Sequence, residues 1–158
     1  MKSIILLPNF LKKVGWTILG LSLVLWILHI FFEWEPKWLT VNYFTVLNTP
    51  IFGDLSWFQS VQQDLFYTML MILPIVGGLL VGFSKEKVED EFIDKLRLSS
   101  LLWAVLINYV VLLVLSLTVF GLAFMNVLTV HTFSVLLIFI VRFNYLLWNN
   151  RKGMDNEK

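Results

Sequence analysis

Four long apolar runs limit what this chain can fold into more than any other feature. The first, 14–32, holds nineteen residues without a charge. That is close to the ~20 residues a helix needs to cross a hydrocarbon core of ~30 Å. Three more follow at about 65–83, 98–120 and 127–148. Together they leave little chain for anything but spans and connectors. Composition agrees: the 158 residues are 58% hydrophobic and only 15% charged, whereas soluble domains are about one quarter charged. The reading is an all-α fold: a four-helix transmembrane bundle of one integral domain, 1–158, held in a lipid bilayer.

Ahead of the first run stand Lys2, Lys12 and Lys13. The run is longer than a signal-peptide core of roughly 7–15 residues and no small-x-small cleavage site follows it, so it reads as an uncleaved first span. Trp16 and Trp34 flank it at headgroup level, and His29 near its far end reads as an interfacial polar tip. A loop, 33–64, comes next, rich in Trp34, Trp38, Tyr43, Phe44, Trp57 and Phe58 and punctuated by Pro36, Pro50 and Gly53. Its aromatics predict a segment lying along the membrane surface or folded over the bundle. The piece Leu39 to Leu47 fits a strand or an interfacial helix. Ser56-Trp57-Phe58-Gln59 has the spacing of a capping box and predicts a helix from Trp57 that runs into the second span.

Pro74 inside the second span removes one backbone hydrogen bond and predicts a kink. Gly78 and Gly82 form a GxxxG pair, a bare strip suited to close helix packing within the chain or to a homo-oligomer seam. Then comes the one dense run of charge, 84–97. It holds Lys85, Lys87, Lys95 and Arg97 against Glu86, Glu89, Asp90, Glu91 and Asp94. No Gly or Pro interrupts Lys85 to Phe120, which predicts one continuous helix, its charged start projecting as a cytoplasmic extension of the third span. Asn108 sits at mid-depth of that span as helix glue or a substrate contact. A tight link, Gly121 to Asn126, leads to the fourth span. There Arg142, with Asn144 and Tyr145 nearby, lies about 9 Å inside the Trp148 end. An intramembrane arginine is a functional candidate by default, although it also snorkels readily. The tail from Asn149 is expected to fray.

Eleven of the twelve Lys and Arg residues fall before span one, between spans two and three, or toward the C-terminal end; Lys37 alone lies in the loop 33–64. The positive-inside rule therefore places both termini and the charged stretch in the cytoplasm, with the aromatic loop outside the plasma (inner) membrane.

The chemistry classes that leave sequence marks are missing. Cysteine is absent, which removes thiol catalysis and thiolate metal sites. No HExxH, no glycine-rich phosphate loop and no Ser/His/acid arrangement is present. His29 and His131 lie on different spans, with Glu33 and Glu35 the only carboxylates near them. Glu86, Asp90 and Asp94 would share a face of the continuous helix, as a cation-binding stripe or a solvated one. No cofactor is implied, and a net charge of +1 makes no case for nucleic acid.

The motif Phe83-Ser84-Lys85-Glu86-Lys87-Val88-Glu89-Asp90-Glu91, with Lys95-Leu96-Arg97-Leu98, Trp103-Ala104-Val105 and Arg142-Phe143-Asn144-Tyr145, resembles an uncharacterised family of small bacterial four-span membrane proteins. The resemblance covers most of the chain and implies the four-span fold; it brings no activity, ligand or catalytic residue. The reading that remains is a non-enzymatic membrane component, structural or sensory. It would dock a cytoplasmic partner through Lys85, Glu86, Lys87, Glu89, Asp90, Glu91 and Asp94. The alternative is a small transporter or oligomeric channel using Asn108 and Arg142. A membrane enzyme ranks third, since the spans offer no nucleophile or base.

Overall fold

The computed structural model describes residues 6–36, 38–48 and 55–156, with side chains as far as residue 150. Lys37, Pro50 and Gly53 of the loop and the terminal Lys2 and Lys158 lie outside the described residues. Six elements follow in order: α1 (Asn9–Phe32), β1 (Thr40–Asn48), β2 (Ser56–Asp64), α2 (Leu65–Gly82), α3 (Glu91–Thr118) and α4 (Leu122–Asn156). All four helices are long and apolar enough to cross a membrane. The shortest, α2 at 18 residues, spans about 27 Å. α4 continues to Asn156 instead of fraying after Trp148.

Burial is inverted relative to a soluble bundle. Only 11–39% of the apolar stretch of each helix is buried, and large side chains such as Leu106, Tyr109, Leu117 and Val141 face outward. The buried stripes are narrow and rich in small or polar residues. On α1 the stripe is Gly15, Leu19 and Ser22; on α3 it is Arg97, Ser100, Ala104 and Asn108. Both follow the three- and four-residue spacing of one helix face. With so little apolar surface buried between them, close backbone approach and polar contacts must hold these helices together.

The glycines show that approach. A Cβ on Gly15 would stand 2.8 Å from the Leu80 Cβ, and one on Gly77 would stand 2.8 Å from the Leu19 nitrogen. α1 and α2 thus pack antiparallel, backbone against backbone. The Gly78/Gly82 strip faces Leu136 and Phe139 of α4, with a Gly82 Cβ only 2.5 Å from the Phe139 ring. Both glycines are buried, so the strip is filled from within the chain. A seam between copies at this place would have to displace α4. The core where the helices meet is built from Leu19, Val81, Ala104, Phe139, Ile140 and Phe143.

Pro74 lies buried within α2 without ending it. It has no N–H for the carbonyl of Leu70, four residues back. The Trp26 indole of α1 supplies the missing donor, Nε1 donating to the Leu70 oxygen at 2.9 Å.

Two expectations are corrected. The loop contains a β-hairpin, which an all-α reading lacks: β1 and β2 pair antiparallel from Thr40↔Asp64 to Asn48↔Ser56. The helix anticipated from Trp57 is a strand. Ser56 and Gln59 do meet, Gln59 Nε2 donating to Ser56 Oγ, but beside Phe58, whose φ of 49° interrupts the ladder. The cap that starts α2 is Asp64, whose carboxylate accepts the Phe66 N–H at 3.0 Å.

The second correction concerns the third helix. It begins at Glu91, not Lys85. Asp90 is extended (φ −136°) and its carboxylate accepts the Ile93 N–H at 2.8 Å, an N-cap. Glu91 and Asp94 occupy the first turn, where the helix dipole favours acids. The preceding residues have other backbone partners. Leu7 N donates to Phe83 O at 2.9 Å, and Lys85 N donates to Leu7 O at 2.9 Å.

Candidate functional site

Three polar clusters break the apolar body. One lies at the charged end, one in the α3–α4 seam, and one at the end that bears the hairpin.

At the charged end the segment 84–97 folds back on the helices. Glu86, 8% exposed, forms an ion pair with Lys12 of α1. Lys12 Nζ also reaches Asn144 Oδ1 of α4 at 3.5 Å. Arg97, 4% exposed, pairs with Glu89 at 2.7 Å and with Asp94 at 3.1 Å. Its guanidinium lies 5.2 Å from the centre of the Phe143 ring, and Lys12 Nζ lies 6.0 Å from the same ring. Glu89 also accepts the Glu86 N–H at 2.7 Å. Burial pushes the Glu89 carboxyl up, but the Arg97 hydrogen bond, the Glu86 N–H and the Arg97 charge outweigh it and hold the pKa below the ordinary value.

The candidate residues of this segment therefore divide. Glu86, Glu89 and Asp94 are engaged with Lys12 and Arg97, and Asp90 caps α3. The cation-binding stripe of Glu86, Asp90 and Asp94 does not form, because its three carboxylates go to three different partners. Among the described residues no group of three His, Cys, Asp and Glu converges. Lys85, Lys87, Glu91 and Lys95 stay exposed, along with Val88 at 71% and Phe92 at 53%. Arg97, Lys12 and Phe143 form the network that sequence reasoning missed. Nothing in a linear pattern places Lys12, 74 residues away, against Glu86.

In the α3–α4 seam Asn108, 2% exposed, meets both the His131 ring, at 3.0 Å to Nδ1, and Ser134, whose hydroxyl donates to Asn108 Oδ1 at 2.5 Å. The amide thus has partners on α4, as a buried polar group requires. Arg142 lies farther along the same seam, its guanidinium 5.0 Å from the centre of the Trp103 ring. This contact gives the guanidinium a cation–π attraction.

At the hairpin end His29 and Glu35 approach each other, Nδ1 to Oε1 at 3.9 Å, and the Tyr67 hydroxyl donates to Glu35. His131, the other histidine, stays in the seam. The pairing of His29 with a carboxylate was legible as a spatial option; Tyr67 was not, because it enters from the second helix. These residues border a cavity of about 880 Å³ between α1, α2 and α4.

No family model, curated protein or solved structure matches this chain. The functional reading rests on the geometry.

Proposed function

We propose that this chain is a non-enzymatic multi-pass component of a bacterial plasma membrane, with both termini and the segment 84–97 in the cytoplasm, and that it serves as a docking platform for a cytoplasmic protein. One observation carries the reading: the charged segment is split into a fixed half and an offered half. Glu86 ties it to Lys12 of α1, Glu89 and Asp94 pair with Arg97 of α3, and Arg97 lies on Phe143 of α4. That leaves Lys85, Lys87, Val88, Glu91, Phe92 and Lys95 exposed on an ordered ledge. Mixed charges around two apolar side chains make a recognition surface whose ordering cost is already met within the fold.

Photocrosslinkers at Lys87, Glu91 and Lys95 in native membranes test it. The expected result is a discrete adduct that disappears when Val88→Asp and Phe92→Asp are introduced together. Absence of any adduct at all three positions overturns the reading. The alternative, a small transporter or oligomeric channel working through Asn108 and Arg142, draws less support. Asn108 spends its hydrogen bonds on His131 and Ser134, and Arg142 lies on Trp103.

A further inference from the structure

A cavity at the hairpin end lies apart from the charged ledge. Its volume of about 880 Å³ falls within the 300–1,000 Å³ typical of small-molecule sites. α1 and α4 touch at Trp26 and Phe133, with ring centres 5.5 Å apart. Trp26, Leu70, Met71 and Val130 give the space an apolar wall, while Glu33, Glu35 and Asn126 stand toward the helix ends.

Two carboxylates, Glu33 and Glu35, border it, and no Lys or Arg is among the described residues that line it. α1 ends at this place, with Glu33 as its C-cap in the left-handed conformation, φ 49°. α2 and α4 start at the same end, so the helix dipoles there do not share one sign, and the carboxylates carry the acidic character of the site. Three aromatic rings, Trp26, His29 and Tyr67, also line the space. His29 and Tyr67 lie edge to face with centres 5.5 Å apart. The two carboxylates and the Trp26 and Tyr67 rings favour a positive charge. The apolar wall favours a hydrocarbon body beside that charge.

We propose that this cavity binds an amphipathic organic cation: an ammonium-type or similarly delocalised positive head held by Glu33 and Glu35, with an apolar portion against Trp26, Leu70 and Met71. Glu35 is preset for the task. Its carboxylate is held by the Tyr67 hydroxyl, so little side-chain freedom remains to be lost on binding. The site would give a protein that docks a partner at one end a ligand to respond to at the other.

The test uses the full chain in phosphatidylcholine nanodiscs, with tetraphenylphosphonium as the cationic probe and tetraphenylborate as an anion of matched shape. The expected result is saturable binding of the cation alone, about tenfold or more weaker in the Glu33→Gln/Glu35→Gln double variant. Equal retention of both ions, or unchanged affinity in a double variant that stays monodisperse and helical, overturns the proposal. Should that variant fail to fold, a single thiol answers the question, since the chain has no cysteine of its own. A Met71→Cys protein is labelled with a cationic methanethiosulfonate. Protection of the thiol by tetraphenylphosphonium supports the site, and labelling at an unchanged rate overturns it.

Discussion

The carbonyl of Leu70 shows how one residue's deficit is met by another's surplus. Pro74 cannot donate to it, and the Trp26 indole does so from the neighbouring helix at 2.9 Å. Trp26→Phe leaves that oxygen without its donor, a loss of about 1–3 kcal/mol. In a Pro74→Ala background the α2 backbone regains its own donor, so the same substitution should cost markedly less. Thermal unfolding of the four proteins of this double-mutant cycle in detergent gives the coupling, and equal cost in both backgrounds refutes the assignment. The proline and its lost hydrogen bond were legible in the sequence. Its partner was not, because which residue of α1 faces Leu70 depends on how the two helices are rotated together. Glu89 makes a pH prediction of the same kind. Its folded pKa lies below the ordinary 4.5, so its contribution is complete above the usual carboxylate range and is lost as pH falls through the lowered value. As pH falls through and below the ordinary carboxylate range the wild type should lose more stability than Glu89→Gln. Parallel pH–stability curves for the two would refute this.

At the scale of elements, two glycines on facing helices give opposite expectations. Gly77 sits against the Leu19 backbone, whereas no other described atom lies within 4 Å of a Cβ on Gly20. Gly77→Ala must therefore push α1 away, at a cost of about 1–3 kcal/mol. Gly20→Ala should be neutral or gain up to about 1 kcal/mol from helix propensity. Unfolding of the two variants in detergent separates the cases, and equal destabilisation would show that the α1–α2 contact is not what holds these helices. The four long apolar helices were legible as apolar runs: α2 keeps within a residue of the anticipated 65–83, whereas α1, α3 and α4 begin five to seven residues ahead of their runs. The hairpin was not legible. β1, Thr40–Asn48, mixes β-favouring Thr, Val, Tyr and Phe with a pattern too short to exclude an interfacial helix. β2 carries a Ser-x-x-Gln that imitates a helix cap, while the true cap, Asp64, stands at its other end. The start of α3 was misplaced for a similar reason. Charged residues with good helix propensity predict helix from Lys85, but Asp90 captures the Ile93 N–H and Leu7 takes the backbone of Phe83 and Lys85. A propensity of a few tenths of a kcal/mol per residue yields to such specific partners.

For the molecule as a whole, the antiparallel course of α1 and α2, and again of α3 and α4, puts the hairpin and the Gly121 turn at one end. The N-terminal segment and the residues 84–90 lie at the other. Gly121 makes its turn with φ +71°, a conformation that needs no Cβ. The two ends differ in kind as well as in place. One has the buried ion pairs of Lys12 and Arg97; the other has the acidic, aromatic cavity and an exposed β-ribbon carrying Phe44, Trp57 and Phe58. Between them the outward-facing side chains of the four helices are mostly apolar, and in the orientation proposed above the cation-rich end is the cytoplasmic one. The absence of cysteine makes the arrangement directly measurable. In spheroplasts of a bacterial host, an impermeant maleimide should label a Leu47→Cys chain at once. It should reach Lys87→Cys only after the membrane is opened. The reverse pattern would invert the orientation and place the charged ledge outside, where no cytoplasmic partner could meet it. Labelling of both from outside would refute the four-span arrangement itself, because one crossing, α2, lies between the hairpin and the ledge, whereas two lie between the ledge and either terminus.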